Sequence, residues 1–72
     1  MKTGEKIRKA RETWGLSQHA LAVEAEMGQS QLSNYENCLI IPTKKVLARI
    51  ADALGIDPES LEGEDIERRT RT

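Results

Sequence analysis

Residues 17–37, SQHALAVEAEMGQSQLSNYEN, decide how this chain is to be read. They contain two short amphipathic segments joined by a tight break. Ser17 is a good N-cap type, because its hydroxyl can accept an orphan backbone N–H of the following turn. Leu21, Ala22 and Ala25 then repeat at helical spacing. The pattern loses phase around Glu26-Met27-Gly28, where Gly28 supplies a residue that freely enters unusual backbone angles. Leu32 and Tyr35 restart the rhythm, while Gln29, Ser30, Gln31, Ser33 and Asn34 fill the other face. Amides and hydroxyls on an exposed face are unusual, since solvent faces are mostly Lys/Glu-rich. Gln and Asn pair bidentately with adenine, and Ser can bond several base edges. The second segment reads as a helix prepared to face base pairs.

Working outward, the periodicity predicts a first helix from Thr3 or Gly4 to about Trp14. Ile7, Ala10 and Trp14 keep an apolar rhythm, and Gly15 stands at the C-cap. Leu16 then plugs the core. The second and third helices fall at about 17–25 and 29–36. Thr43, after Pro42, caps a fourth helix whose apolar stripe is Val46, Leu47, Ile50, Ala51 and Leu54, with Gly55 ending it. Lys44 and Lys45 oppose the dipole of that helix, so helix stability does not explain them, whereas phosphate contact would. Asp57-Pro58 supplies an N-cap and N1 pair for a short fifth helix with Leu61 inward. The expected architecture is all-α, a compact five-helix domain over 1–62 followed by a polar, flexible tail over 63–72.

Seventy-two residues make one small domain, burying roughly 60% of its unfolded surface. No apolar run suggests a membrane span, and Met1-Lys2-Thr3 leads into no signal-peptide core. One Cys excludes an internal disulfide, and with one His the chain cannot build a zinc site alone. No metal, cofactor or small-molecule ligand is expected, and the cytoplasm is the expected home. The net charge of −1 by itself argues against a nucleic-acid binder. Its distribution matters more: residues 17–42 contain no Lys or Arg, residues 1–16 are basic, and every charge from 55 to 67 is acidic. Catalysis finds no support, because no Ser/His/Asp order, metal-ligand spacing or Gly-rich phosphate loop appears.

Ser17-Gln18 opening one helix, a short turn, and Leu32 three residues before Tyr35-Glu36-Asn37 resemble a lambda-repressor/Cro-type (XRE-family) helix-turn-helix. The resemblance runs over roughly 5–62, through Arg11, Gly15-Leu16-Ser17-Gln18, Glu36, Pro42 and Ala53-Leu54-Gly55-Ile56. It implies a helix-turn-helix at helices two and three, and double-stranded DNA as partner. Gln29, Ser30 and Asn34 match the base-contacting positions, with Gln31 beside them. Ser17, Gln18, Asn37, Lys44 and Lys45 become the phosphate contacts. Arg11, on the inward side of the first helix, reads alone as a solvated stem; the resemblance pairs it with Glu36.

The sequence departs from that pattern in two places. Glu26 occupies a position usually held by Gly, where left-handed geometry costs about 1 kcal/mol, and Gly28 replaces the usual Ser or Thr cap. In the loop after helix three, Cys38 stands at the Gly position and Leu39, Ile40 and Ile41 fill the places of phosphate-binding residues. Three adjacent apolar side chains, with Trp14 as a competing candidate, point to a protein interface. The functional expectation is a sequence-specific DNA-binding regulator, a repressor acting as a homodimer on a two-fold operator. The alternative is a protein-interaction module on the same scaffold, such as an antitoxin or an adaptor for another regulator.

Overall fold

In the computed structural model, residues 1–66 are described. They form α1 (Thr3–Thr13), α2 (Gln18–Glu24), α3 (Gln29–Glu36), α4 (Lys44–Leu54) and a 3-10 turn (Pro58–Leu61), with no strand among them. The starts of these elements follow their caps. Ser17 Oγ accepts from the Ala20 N–H at 3.0 Å and Thr43 Oγ1 from the Val46 N–H at 3.2 Å. Gly28 begins α3 with no side-chain cap. The expected fifth helix is a correction: it is a single 3-10 turn. Asp57 caps it through the Glu59 N–H, and the Ser60 N–H returns to the Asp57 carbonyl three residues back. Leu61 is nevertheless buried.

Ile7, Leu21, Ala22, Ala25, Leu32, Tyr35, Leu47, Ile50, Ala51, Leu54 and Leu61 form one core to which every helix contributes. Trp14 does not continue the apolar stripe of α1. It sits at the C-cap, where the helical screw has ended, and is 61% exposed. Gly4 lies where α1 crosses the end of α3, and any Cβ there would run into the Tyr35 carbonyl oxygen. Only glycine permits that approach.

All four α-helices end alike. Gly15, Glu26, Cys38 and Gly55 each take a left-handed φ, between 58° and 71°. The next residue's N–H reaches back five positions: Leu16 to Arg11, Met27 to Ala22, Leu39 to Asn34 and Ile56 to Ala51, at 2.9–3.1 Å. This 6→1 closure satisfies orphan carbonyls and favours glycine at the turning residue. Glu26 and Cys38 adopt it against the Cβ–carbonyl clash. Glu26→Gly should therefore stabilise the domain by about 0.5–1 kcal/mol. The relieved strain exceeds the added unfolded-state entropy, and the exposed Arg49–Glu26 pair at 3.4 Å contributes little. A urea midpoint that falls instead of rising would show that the ion pair dominates.

The chain after the 3-10 turn folds back onto the start of α1. Asp65 Oδ1 accepts from the Thr3 N–H at 2.8 Å and the Thr3 hydroxyl at 2.7 Å. The Gly63 N–H donates to Thr3 Oγ1 at 2.9 Å, and the Glu64 N–H to the Met1 carbonyl at 3.0 Å. Gly63 lies against the backbone of Met1 to Thr3 with no room for a Cβ. Lys2 offers no side-chain acceptor, so a remote carboxylate serves the helix N-terminus where a cap would. Residues 63–65 of the tail expected to be flexible thus supply the partners of buried Thr3 and of the Met1 carbonyl. The remainder of that tail, 67–72 with Arg68, Arg69 and Arg71, lies outside the described residues.

Burial pushes the Asp65 carboxyl up, but the hydrogen bonds from Thr3 outweigh it and hold it below its ordinary 3.8. A depressed carboxyl stabilises the fold fully above its unfolded value and loses that contribution as pH falls through the folded one. Asp65→Asn should melt lower than the parent at neutral pH. The gap should close on acidification below 3.8, and a gap constant from neutral to strongly acidic pH would defeat this assignment.

Candidate nucleic-acid interface

The outward face of α3 and the first turn of α2 enclose an open polar hollow lined by Gln18, Gln29, Ser30, Ser33 and Asn34. Helical periodicity explains the membership. Positions 29, 30, 33 and 34 are one turn apart in pairs and share a face. Gln31 falls on the opposite flank, where its Nε2 donates to the Tyr35 hydroxyl at 3.0 Å. It is not among the hollow's lining residues. Ser33, which reading by residue type did not place among the base-reading candidates, lines the hollow, and the 3.6-residue period carried the signal for it.

Beneath the hollow, the fully buried Glu36 carboxylate holds three elements together. Arg11 grips it twice, Nε to Oε2 at 2.7 Å and Nη2 to Oε1 at 3.1 Å, and spends Nη1 on the Leu16 carbonyl at 2.8 Å. Gln18 Nε2 donates to Glu36 Oε1 at 3.1 Å, and Arg8 Nε lies 3.6 Å from the same oxygen. The hydrogen bond to Glu36 raises the Arg11 pKa against the opposing cost of burial. A bidentate pair fixes orientation as well as charge, so α1 sets where the end of α3 and the start of α2 stand. Arg8 Nη2 also donates to Asn37 Oδ1 at 3.0 Å, and Asn37 Nδ2 to Ser33 Oγ at 3.3 Å. Asn37 is thereby held at the rim of the polar face.

The remaining candidates scatter. Ser17 is exposed at its cap, and Lys44 and Lys45 are exposed in the first turn of α4. Lys45 borders a different, apolar-floored hollow with Ala48, Arg49, Asp52, Ile56 and Pro58, so the structure does not gather these cations with the amides. Leu39, Ile40 and Ile41 all lie exposed. Of the four apolar residues that follow the left-handed closures, Leu16, Met27 and Ile56 pack against the core, whereas Leu39 stays 72% exposed. The polar hollow can donate and accept hydrogen bonds and, among the described residues, is lined by no titratable side chain. Among the described residues, no cluster of His, Cys, Asp and Glu is suited to a metal, and no helix is long and apolar enough to cross a membrane.

An all-helical domain with an amide-and-hydroxyl helix braced from behind defines a class, and residues 3–62 match the model of a family described as a helix-turn-helix domain. The chain belongs to that family. Among the solved structures similar to it are three lambda-repressor-like helix-turn-helix proteins. One is the restriction-modification controller protein C.AhdI from Aeromonas hydrophila, at 29% identity and TM-score 0.80, covering 82% of this chain and 89% of that one. Another is SinR, a master regulator for biofilm formation, in complex with DNA, at 28% identity and TM-score 0.78, covering 82% and 95%. The P22 c2 repressor in complex with a synthetic operator follows at 26% identity and TM-score 0.81, covering 90% and 98%. No curated protein sequence matches.

Proposed function

We propose that this protein is a sequence-specific double-stranded DNA-binding regulator, with α2 and α3 as its helix-turn-helix and α3 entering the major groove. The observation that carries the reading is the braced polar face of α3. Gln29, Ser30 and Asn34 line it with their side chains unengaged among the described residues, with Ser33 between them. Gln18 and Asn37 flank it in positions suited to phosphates, and Ser17 opens α2 beside Gln18. Lys44 and Lys45 add cationic phosphate contacts from α4. The DNA-bound state of two similar proteins supports the same partner. Selection from a randomised duplex library tests this: enrichment of a discrete motif is expected, and recovery of no motif at low salt would overturn it.

The regulator acts as a homodimer on a two-fold operator, in the manner of a repressor, since one recognition helix spans too few base pairs to single out a site. Leu39, Ile40 and Ile41 follow α3 directly, so a contact there would fix the spacing of two recognition helices. Ile40→Glu should raise the dimer dissociation constant roughly tenfold or more while leaving the melting of the monomer little changed. Sedimentation of a fully dimeric mutant would remove this loop from the interface. The exposure of Leu39 also favours a second reading, a module whose partner is another protein, as an antitoxin or adaptor would be. A chain that enriches no DNA motif yet forms a complex blocked by Ile40→Glu would establish it.

A further inference from the structure

A second surface is built from different residues. Trp14, Leu16, Ala53 and Leu54 floor a hollow of about 380 Å³, rimmed by the carboxylates of Glu24 and Asp52. None of its lining residues belongs to the polar hollow at the start of α2 and α3. α1 and α4 both end here, and Glu24 is the last residue of α2. Helix C-termini carry partial negative charge, which adds to that of the two carboxylates. Among the described residues, no Lys or Arg lines the hollow. Lys45 and Arg49, two turns and one turn back along α4, share a neighbouring hollow with Asp52 without pairing with it, and Arg49 is engaged with Glu26. Glu24 and Asp52 are exposed and make no side-chain hydrogen bond or ion pair among the described residues.

We propose that this hollow docks a basic, apolar segment of a partner protein, with an arginine on the Trp14 indole and the two carboxylates and an adjacent aliphatic side chain on Leu16 and Ala53. Charge decides the occupant. Uncompensated carboxylates and helix C-termini repel phosphate, so this face turns away from nucleic acid. Arginine suits it, because a guanidinium stacks on indole and pairs with carboxylates at once. Exposure decides the size. Small-molecule sites bury most of their ligand, and a tryptophan left 61% exposed needs a longer segment to cover it. Tryptophan and arginine are also the residues that dominate binding energy at interfaces.

Trp14 is the sole tryptophan, so its emission reports this surface alone. A short Trp- and Tyr-free peptide of Arg and Leu, titrated into the full chain, should give a saturable emission change that weakens with salt. The same peptide with Glu for each Arg should give none. Glu24→Gln and Asp52→Asn should each weaken binding roughly threefold, and the pair about tenfold, as expected for exposed charges. Circular dichroism of the double variant should match the parent. Equal binding of the Glu peptide, or no effect of the double substitution, would overturn the proposal. So would tetramethylammonium saturating the response as tightly as the peptide, since that would make this a small-cation site.

Discussion

Glu36→Ala should cost about 3–5 kcal/mol, the range for removing one partner of a buried ion pair. The carboxylate is fully buried and receives hydrogen bonds from Arg11 and Gln18. Its loss leaves an Arg11 side chain only 13% exposed without its hydrogen-bonded ion-pair partner. A domain of this length has on the order of 4–11 kcal/mol in all, so the variant should be largely unfolded or sit close to its midpoint. Replacing both Arg11 and Glu36 with methionine should recover much of the loss, because no buried charge then remains unpaired. Urea unfolding of the parent, Arg11→Met, Glu36→Met and the double gives the coupling directly. A Glu36→Ala variant within 1 kcal/mol of the parent would mean that water reaches Arg11 and the pair is not structural.

The second large effect concerns recognition. Gln29→Ala should lose about 1–3 kcal/mol on the selected duplex and almost nothing on random duplex, because a base-edge contact discriminates and a phosphate contact does not. Gln29 opens α3, lies exposed at the hollow and is far from the core, so the melting temperature serves as the control. Relaxed preference at one base pair, read by repeating the selection with the variant, is the positive signature. Equal losses on both duplexes would move Gln29 from reading bases to holding the backbone.

The helices were legible where local chemistry acts alone. Ser17 and Thr43 cap, Gly15 and Gly55 terminate, and the stripe of α4 names its own buried face. Gln18, Gln29, Ser30 and Asn34 could be grouped because turn geometry brings α2 against α3. Trp14 misled, since its spacing from Ile7 and Ala10 is helical while its position is one residue past the helix. Gln31 suits the site by type, while its phase sets its amide on the Tyr35 hydroxyl at the flank of the hollow. The short turn at Pro58–Leu61 showed a helix start without the length to continue. The partner of Asp65 was beyond sequence reasoning. Nothing in Gly63-Glu64-Asp65 announces a threonine sixty-two positions away.

That separation bears on how the protein is made. A ribosome releases Thr3 early and Asp65 last among the residues that touch it. At ~5–20 residues per second, the nascent first helix waits about 3–12 s for the carboxylate that meets its leading N–H. Short helices are marginal in water by themselves. Vectorial synthesis therefore leaves α1 fraying at its leading end while α2, α3 and α4 are already available to collapse. Residues 63–65 then act as a latch, sealing a domain whose first turn was the earliest to appear and is the latest to settle.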